Sequence, residues 1–418
     1  MTLHRKRLFR LFGYWTAILF AALLLASCSS EQTGGGSSGP ALEPGAFSPN
    51  TQRLMNYLED TYGNYIISGQ MDCTWSNNGQ IDMISRVYEA TGKYPAVKGF
   101  DMMELPYNWT NYGRQQIDEA IEWWEGKNRV NSSNLTALTQ LLPDSPDIHG
   151  IVTFCWHWRT PDQFYYRDDN SSRNTSFRIP WKNGKLDTDS FAFKNTIIAD
   201  LNKAAALLQL LKDRDIPVLW RPLHEAAGDI KWPGSGGWFW WGAKDVSEPD
   251  KRYIALWEYM YYYLTNVKKL DNLIWVWNGQ NAAWFPNPDT VHIVGYDVYF
   301  TPDGSGSAKT YPSQSYHFDA TRDMVPDKNR MVALTENGAI PNPDNCFTDN
   351  AAWLWFCTWN DSQTRQQITN AGPDHRDNFI AGEHHNTNAH KHYVYNHEKV
   401  ITLDKLPDIT KYRLEANK

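Results

Sequence analysis

The chain of 418 residues is poor in cysteine and has no excess of basic charge. It contains five cysteines, and the four that follow Cys28 have spacings that match no zinc site; they are Cys73, Cys155, Cys346 and Cys357. Cys155 and Cys357 lie in strand-like runs and are expected to be buried apolar residues, while the disulfide state of all four stays open. The formal net charge of −7 argues against a nucleic-acid partner, because such partners favour a basic surface.

The chain also lacks a convincing membrane-spanning segment. Its apolar run LFGYWTAILFAALLLAS follows a basic N-terminal region but is too short for a spanning helix, so it is interpreted as a targeting segment. The run ends in LASC, which resembles the lipobox of bacterial lipoproteins and implies a signal peptide over 1–27 and lipidation of Cys28. An ordinary cleaved signal peptide is the alternative. Residues 28–46 are rich in Gly and Ser and predict a flexible tether to a membrane of the bacterial cell envelope, on a face that stays open.

Aromatic residues, in contrast, are abundant. The chain has 20 Trp and 22 Tyr, and rings beyond the needs of a core suggest surfaces on which a flat, weakly charged ligand such as a sugar can stack. The alternative is that these rings fill a large core. The sequence does not separate these two interpretations.

From residue 47 onward, eight short apolar runs alternate with longer segments of helical periodicity. The runs are residues 65–70, 94–103, 150–158, 217–225, 273–278, 291–299, 331–338 and 351–359. Several are continuously apolar, as expected for parallel strands that are covered on both faces. This alternation predicts an α/β chain folded as a (β/α)8 TIM barrel, with one domain over 47–418. The segment from about 372 to 418 is expected to supply the last helix and a closing segment.

Polar residues stand at the predicted carboxyl ends of the strands, where barrels of this class carry their chemistry. They are Asp101, His157, Glu225, Asn278, Tyr299, Glu336 and Asn360. Glu225 ends the fourth run and Glu336 the seventh, so the two face each other across a ring of eight strands. Two carboxyl groups at one mouth are what hydrolysis of a glycosidic bond requires. Period-two alternation is expected to place Arg221, Leu223 and Glu225 on one side of the fourth strand, with Arg221 either in a structural pair or holding a carboxylate ionised.

Several phrases, in this order along the chain, resemble glycoside hydrolase family 26, the β-mannanase family. SGQ and FD stand near the start, and RPLHE (221–225) looks like the acid/base motif. SGGWFWWG (235–242) is similar to the tryptophan-rich loop of the family, and GYDVY (295–299) precedes TENG (335–338), which looks like the nucleophile motif. The resemblance covers 47–418 and implies that this is a catalytic domain with a retaining mechanism, in which the carboxyl groups stand about 5–5.5 Å apart.

The resemblance implies a role for each matching residue. Glu225 is the general acid/base, expected to have a raised pKa, and Glu336 is the nucleophile, expected to stay ionised beside Tyr299 and Arg221. The residues expected to contact sugar are His157, His224, Trp238 and Trp359, with Tyr299 on the nucleophile and Asp101 and Arg221 in support. AAGDIKWPGSGG (226–237) is an insertion that departs from the family pattern and is expected to reshape the substrate groove.

The leading interpretation is a monomeric endo-acting β-1,4-mannanase, without cofactor or metal, that acts on mannan, glucomannan or galactomannan. The histidine-rich stretch 382–392 has a spacing that matches no familiar metal site. An exo-acting mannobiosidase stays open, as does a family member that acts on β-1,3-xylan or mixed-linkage β-glucan. A non-catalytic glycan-binding lipoprotein is a further alternative, although such a protein does not need both glutamates. A periplasmic solute receptor would need two lobes, which a single run of eight strands does not support.

Overall fold

The computed structural model describes most of the chain from residue 45 onward. The described residues are 45–73, 81–105, 113–126, 149–160, 163, 165, 171–228, 237–299, 310–371, 376 and 378–415. The predicted signal peptide, Cys28 and the tether up to residue 44 lie outside them. Within the described residues, no helix is both long enough and apolar enough to cross a membrane.

Eight parallel strands form a closed barrel in the described part of the chain. They are β1 (Ile66–Met71), β2 (Val97–Asp101), β3 (Ile151–Cys155), β4 (Val218–Arg221), β5 (Leu273–Trp277), β6 (Ile293–Val298), β7 (Val332–Asn337) and β8 (Trp355–Thr358). Each strand pairs with the next, and β8 pairs with β1, which closes the ring. A short strand β9 (Val400–Ile401) adds to β1 in parallel. The predicted (β/α)8 barrel is therefore confirmed.

Helices lie between the strands. They are α1 (Pro49–Thr61), α2 (Met83–Thr91), α3 (Arg114–Trp124), α4 (Ile198–Lys212), α5 (Pro249–Tyr261), α6 (Ser315–Asp323), α7 (Pro343–Thr348), α8 (Arg365–Ala371) and α9 (Asn388–Asn396). A π-helical turn, Phe193–Ile197, leads into α4, and another, Tyr262–Val267, continues α5. Residues 181–182 and 185–186 form a two-stranded antiparallel hairpin outside the barrel. The tail beyond residue 372 contributes α9 and β9, in agreement with the predicted last helix and closing segment.

Local sequence explains the bounds of α2. Asp82 accepts a hydrogen bond from the backbone N–H of Ser85 at 3.1 Å, which satisfies a donor that the first turn of a helix leaves free. Gly92 ends the helix with a φ of 73°, in the left-handed region that a residue without Cβ adopts at little cost. Asp82 and Gly92 therefore mark the beginning and the end of the helix, and Asp72, after β1, accepts a further hydrogen bond from the N–H of Met83 at 3.0 Å.

Tryptophan fills much of the core. Among the described residues, eleven of the twelve largest fully buried side chains are indoles, including Trp240 and Trp241 of the tryptophan-rich phrase. Trp156 stacks on Trp158 with ring centroids 4.2 Å apart, and Trp240 meets Trp158 edge-on at 5.1 Å. The aromatic richness of this chain is thus largely a packing feature, and only a minority of the indoles is left to face a ligand.

Candidate active site

The turn after β4 carries Glu225. The strand ends at Arg221, and both Leu223 and Glu225 have a φ of 53°, which is uncommon for residues other than glycine. The predicted period-two alternation from Arg221 to Glu225 is therefore wrong, because the backbone leaves the extended conformation after Arg221. The Tyr253 hydroxyl donates to the Leu223 carbonyl at 3.2 Å, and the Glu225 N–H donates to the Asn278 carbonyl at 2.7 Å. These contacts hold a backbone conformation that is costly on its own.

A β-bulge in β7 orients Glu336. Along β6, Tyr296 pairs with Leu334 but the next residue, Asp297, pairs with Glu336, so Thr335 is the extra residue. The pairing with β8 is irregular at the same place. Bulges are common beside active sites because the extra residue redirects the side chains that follow it. The bulge thus accounts for a glutamate that points into the mouth of the barrel from within a strand.

Three carboxylates meet at this mouth. One oxygen from each of Glu225, Asp297 and Glu336 lies within 4.8 Å of the others. Asp297 is 6% exposed and accepts hydrogen bonds from the Asn278 amide and the Thr335 hydroxyl, both at 2.7 Å. The sequence interpretation quoted Asp297 within GYDVY but did not single it out. Its position in the same apolar run, two residues before Tyr299, was the available signal.

Arg221 and Tyr299 bind the carboxylate of Glu336. Arg221 is 2% exposed and forms ion pairs with Glu336 and, at 3.0 Å, with Asp297. The Tyr299 hydroxyl donates to the second oxygen of Glu336 at 2.6 Å. Both residues that were expected beside Glu336 are therefore in contact with it. A planar guanidinium suits this position because it can bind two carboxylates at once.

The electrostatics of the two glutamates differ. Burial raises the pKa of Glu225 well above its ordinary value, and the charges of Asp297 and Glu336 raise it further. Burial also raises the pKa of Glu336, but Arg221 opposes that shift most strongly, with help from His157 and the Tyr299 hydroxyl. A proton shared by this site therefore resides on Glu225, and Glu336 keeps the negative charge.

Two indoles stand beside these carboxylates. Trp238 is partly buried, and its Nε1 donates to Glu225 at 2.8 Å. Trp359 follows β8, and its ring centroid lies 5.6 Å from that of His157. Both residues are thus at the predicted site, and the bond from Trp238 to Glu225 is an additional contact that the sequence did not predict.

His157 and His224 pack against each other at the base of the same region. Their Nε2 atoms are 3.3 Å apart, and Nδ1 of His157 lies 2.7 Å from the Asp101 carboxylate. His157 is 9% exposed, whereas His224 has no exposed surface and packs under Phe239. The expected direct contact between His224 and a sugar is not possible in this geometry, because other side chains cover the ring completely.

Comparison with known proteins identifies the family to which this site belongs. The family model described as glycosyl hydrolase family 26 matches residues 44–382. The chain belongs to glycosyl hydrolase family 26. The match includes the turn that carries Glu225 and the bulged strand that carries Glu336. The resemblance found in the sequence phrases is therefore confirmed at the level of the family.

Relatives of this family 26 chain are named for action on mannan. The mannan endo-1,4-beta-mannosidase of Thermothelomyces thermophilus is 31% identical over 365 residues, which cover 85% of this chain and 61% of the relative. Mannan endo-1,4-beta-mannosidase B of a Piromyces species is 29% identical, with 86% of this chain and 52% of the relative covered. The chain thus spans about half to three fifths of the length of these curated relatives.

Solved structures share the fold. The GH26-CBM35 beta-(1,4)-mannanase of Podospora anserina superposes with a TM-score of 0.65 at 30% identity, covering 91% of this chain and 72% of that one. The beta-mannanase from a symbiotic protist of the termite Reticulitermes speratus, complexed with gluco-manno-oligosaccharide, has a TM-score of 0.62 at 26% identity. That match covers 89% of this chain and the whole of the other.

Possible metal ligands in this family 26 barrel already have other partners. In the cluster of Glu225, Asp297 and Glu336, the last two carboxylates are paired with Arg221 and accept hydrogen bonds from amide and hydroxyl donors. In the histidine-rich stretch 382–392, His385 contacts the Arg376 carbonyl at 2.5 Å and His390 contacts the Ile340 carbonyl at 2.7 Å. These two rings therefore connect segments of the backbone.

Proposed function

We propose that this family 26 chain is a retaining glycoside hydrolase that cleaves β-1,4-mannosidic linkages in mannan, glucomannan or galactomannan, with endo action. The observation that carries the proposal is the approach of Glu225 and Glu336: one carboxylate oxygen of each lies within 4.8 Å of one oxygen of the other. A pair this close suits a covalent intermediate, since inverting enzymes keep their carboxyl groups roughly 6.5–9.5 Å apart to admit a water.

In the first step, Glu336 attacks the anomeric carbon while Glu225 gives its proton to the departing oxygen. Arg221 and Tyr299 hold Glu336 as an oriented anion, and the raised pKa of Glu225 keeps it protonated for this step. In the second step, a water molecule attacks the anomeric carbon while Glu225 accepts its proton, and the bond between that carbon and Glu336 breaks, which releases the sugar. The two inversions give net retention.

The choice of mannan rests on the relatives. Two curated relatives and two solved structures carry names that refer to mannanase or mannosidase action. Trp238 lies beside Glu225 and Trp359 beside His157, and both offer aromatic rings on which a pyranose can stack. The curated relatives are named endo-enzymes, which supports cleavage within the polysaccharide chain.

Chemical rescue tests the reaction and both roles. The chain, its E336A and E225A variants and a control, E89A, would be assayed on galactomannan, glucomannan and xylan, and on an activated aryl β-mannoside with azide. Glu89 is an exposed partner of Arg365, so its removal should leave activity unchanged. We expect a ladder of manno-oligosaccharides from the unchanged chain, an α-azide product from E336A and a β-azide product from E225A. Full activity of E336A would contradict the proposed mechanism. Mannobiose as the only product from the start of the reaction would contradict endo action.

We also propose that the protein is a monomer anchored to a membrane of a bacterial cell envelope through lipidated Cys28. In support, the backbone N–H of Ser48 donates to the backbone carbonyl of Asp271 at 2.9 Å, and the ring of Phe47 packs against that of His292 with centroids 4.8 Å apart. Asp271 and His292 precede β5 and β6, whereas the carboxylates lie at the opposite ends of the strands. A tether that joins the barrel at the amino ends of its strands leaves the mouth free for a polysaccharide. Detergent-phase partitioning of the chain and of C28S tests the anchor, and light scattering tests the monomer.

A further inference from the structure

Asp101 ends β2 with a carboxylate that accepts three hydrogen bonds. Its Oδ1 accepts the backbone N–H groups of Met103 and His157, both at 3.0 Å, and its Oδ2 lies 2.7 Å from Nδ1 of His157. The side chain is 4% exposed. Because an ionised carboxylate can only accept, Nδ1 of His157 must carry a proton.

The other nitrogen of His157 faces His224. The two Nε2 atoms are 3.3 Å apart and the rings meet edge-on, with centroids 4.5 Å apart and planes at 74°. A hydrogen bond between two such nitrogens holds one proton, since two N–H groups would repel each other and two lone pairs would not bind. The pair therefore has one proton position between its rings.

His224 restricts the arrangement further. Its Nδ1 is buried and has no hydrogen-bond partner among the described residues, so Nε2 makes the only ring hydrogen bond found there. A buried N–H without an acceptor is rarer in proteins than an under-satisfied acceptor, which favours the form of His224 with its proton on Nε2. In that form, His224 donates to His157, and His157 donates to Asp101.

We propose that Asp101, His157 and His224 form a hydrogen-bonded chain in which Asp101 is a positioning residue. Asp101 keeps a proton on Nδ1 of His157, and this fixes which nitrogen of each histidine carries a proton. This proposal rests on the proposed function, because the charge of His157 acts on Glu336. The charged groups that face His157 from other strands are Arg221 and Glu336, on β4 and β7.

The hydrogen bonds between Asp101, His157 and His224 decide which histidine carries a positive charge near Glu336. Burial alone lowers the pKa of His157, but Asp101 outweighs it and raises that pKa, while burial and the charge of His157 lower the pKa of His224. A proton added to the pair therefore goes to His157, which then donates from both ring nitrogens, so that His224 accepts at Nε2 and carries its own proton on Nδ1. The positive charge of His157 lowers the pKa of Glu336. Asp101 thus acts on the nucleophile through His157.

Replacing Asp101 by asparagine reverses the direction of the hydrogen bonds that join residue 101, His157 and His224. The amide oxygen of D101N keeps the two backbone N–H donors, so the amide nitrogen faces Nδ1 of His157 and must donate to it. His157 then carries its proton on Nε2 and donates to His224, whose proton moves to Nδ1. We expect a fall in kcat of about 10–100-fold, the size found for partners that orient functional histidines elsewhere, with KM changed much less.

The test reads the tautomers directly. The full-length chain is labelled with ¹⁵N in its 12 histidines, and long-range ¹H–¹⁵N correlations are recorded for it, for D101N and for a control, D200N. Asp200 is 5% exposed and accepts from the Trp158 indole at 2.9 Å, so D200N also removes a buried carboxylate. H157Q and H224Q assign the signals.

We expect Nδ1 of His157 to be protonated in the unchanged chain and in D200N, and unprotonated in D101N. An unprotonated Nδ1 in the unchanged chain, or the same pattern in D101N as in the unchanged chain, would overturn the proposal. This readout does not depend on a substrate. Failure of the proposed mannanase activity would therefore leave the tautomer result standing, and the reverse also holds.

Discussion

Removing the guanidinium of Arg221 is the most informative perturbation of this site. Arg221 is fully enclosed and is paired with both Asp297 and Glu336. In R221M, an uncharged methionine of similar volume replaces the arginine. Asp297, Glu336 and the neighbouring Glu225 then lack their buried cation. Removal of one partner from a buried ion pair typically costs about 3–5 kcal/mol, because the charges that remain are neither hydrated nor paired.

The cost of R221M depends on pH, with a definite sign. Glu336 already has a folded pKa above its ordinary value, and the loss of Arg221, which opposes that shift most strongly, raises the pKa further. A carboxyl group with a raised folded pKa costs nothing while it is protonated in both states, and it destabilises the fold as pH rises through its unfolded pKa to its folded pKa. The variant should therefore be closest to the unchanged chain near pH 4 and furthest from it near pH 7.

Two measurements follow from this reasoning. Denaturant unfolding of both proteins should give a difference of about 3–5 kcal/mol near pH 7 and a smaller one near pH 4. The acidic limb of the kcat/KM profile should move to higher pH, because a larger fraction of Glu336 is protonated at each pH.

An exposed ion pair provides the control. Arg365 binds Glu89 at 2.8 Å, and 51% and 49% of these side chains are accessible to solvent, so R365M should cost about 1 kcal/mol or less at either pH. A stability loss for R221M as small as that of R365M, or an acidic limb that does not move, would refute the assignment of Arg221 as the cation that keeps Glu336 ionised.

Two other variants separate catalysis from stability. W238F keeps an aromatic ring but loses the N–H that donates to Glu225. The pKa of Glu225 should therefore rise, and the basic limb of the kcat/KM profile should move to higher pH. An unchanged basic limb would contradict the hydrogen bond from Trp238 to Glu225. Lys98 is 1% exposed and pairs at 2.9 Å with Asp72, between the barrel and its helices, so K98M should lower the free energy of unfolding by about 3–5 kcal/mol. Because Lys98 is not at the mouth, folded K98M should keep its kcat, and a loss of kcat in folded K98M would count against this separation.

Local pattern was sufficient for the strands and for the two glutamates. Continuous apolar runs with helical segments between them predict a parallel barrel, because parallel strands are buried on both faces. Glu225 and Glu336 stand near the carboxyl ends of the fourth and seventh runs, and the carboxyl ends of the strands form the mouth where barrels of this class carry their chemistry. The family resemblance then assigned Tyr299 to Glu336, and the pattern of the fourth run suggested that Arg221 either forms a structural pair or holds a carboxylate ionised. Both residues contact Glu336.

Errors arose where the backbone departs from regular structure. Period-two alternation assumes an extended strand, but the positive φ of Leu223 and Glu225 turns the chain out of the sheet. Asp297 was not singled out because its importance comes from residues on other strands, namely Arg221 and Asn278. The tryptophan content suggested sugar surfaces, whereas most of the largest buried side chains are indoles of the core.

The order of apolar runs and the identity of the residues that end them were enough to establish the barrel and its two carboxylates, because hydrophobic periodicity and strand direction are local properties of a chain. The differing pKa values of Glu225 and Glu336 and the burial of His224 were not accessible in this way. The same is true of the hydrogen-bonded chain from Asp101 through His157. Each depends on distances between side chains from different strands, and desolvation and Coulomb interactions depend on those distances.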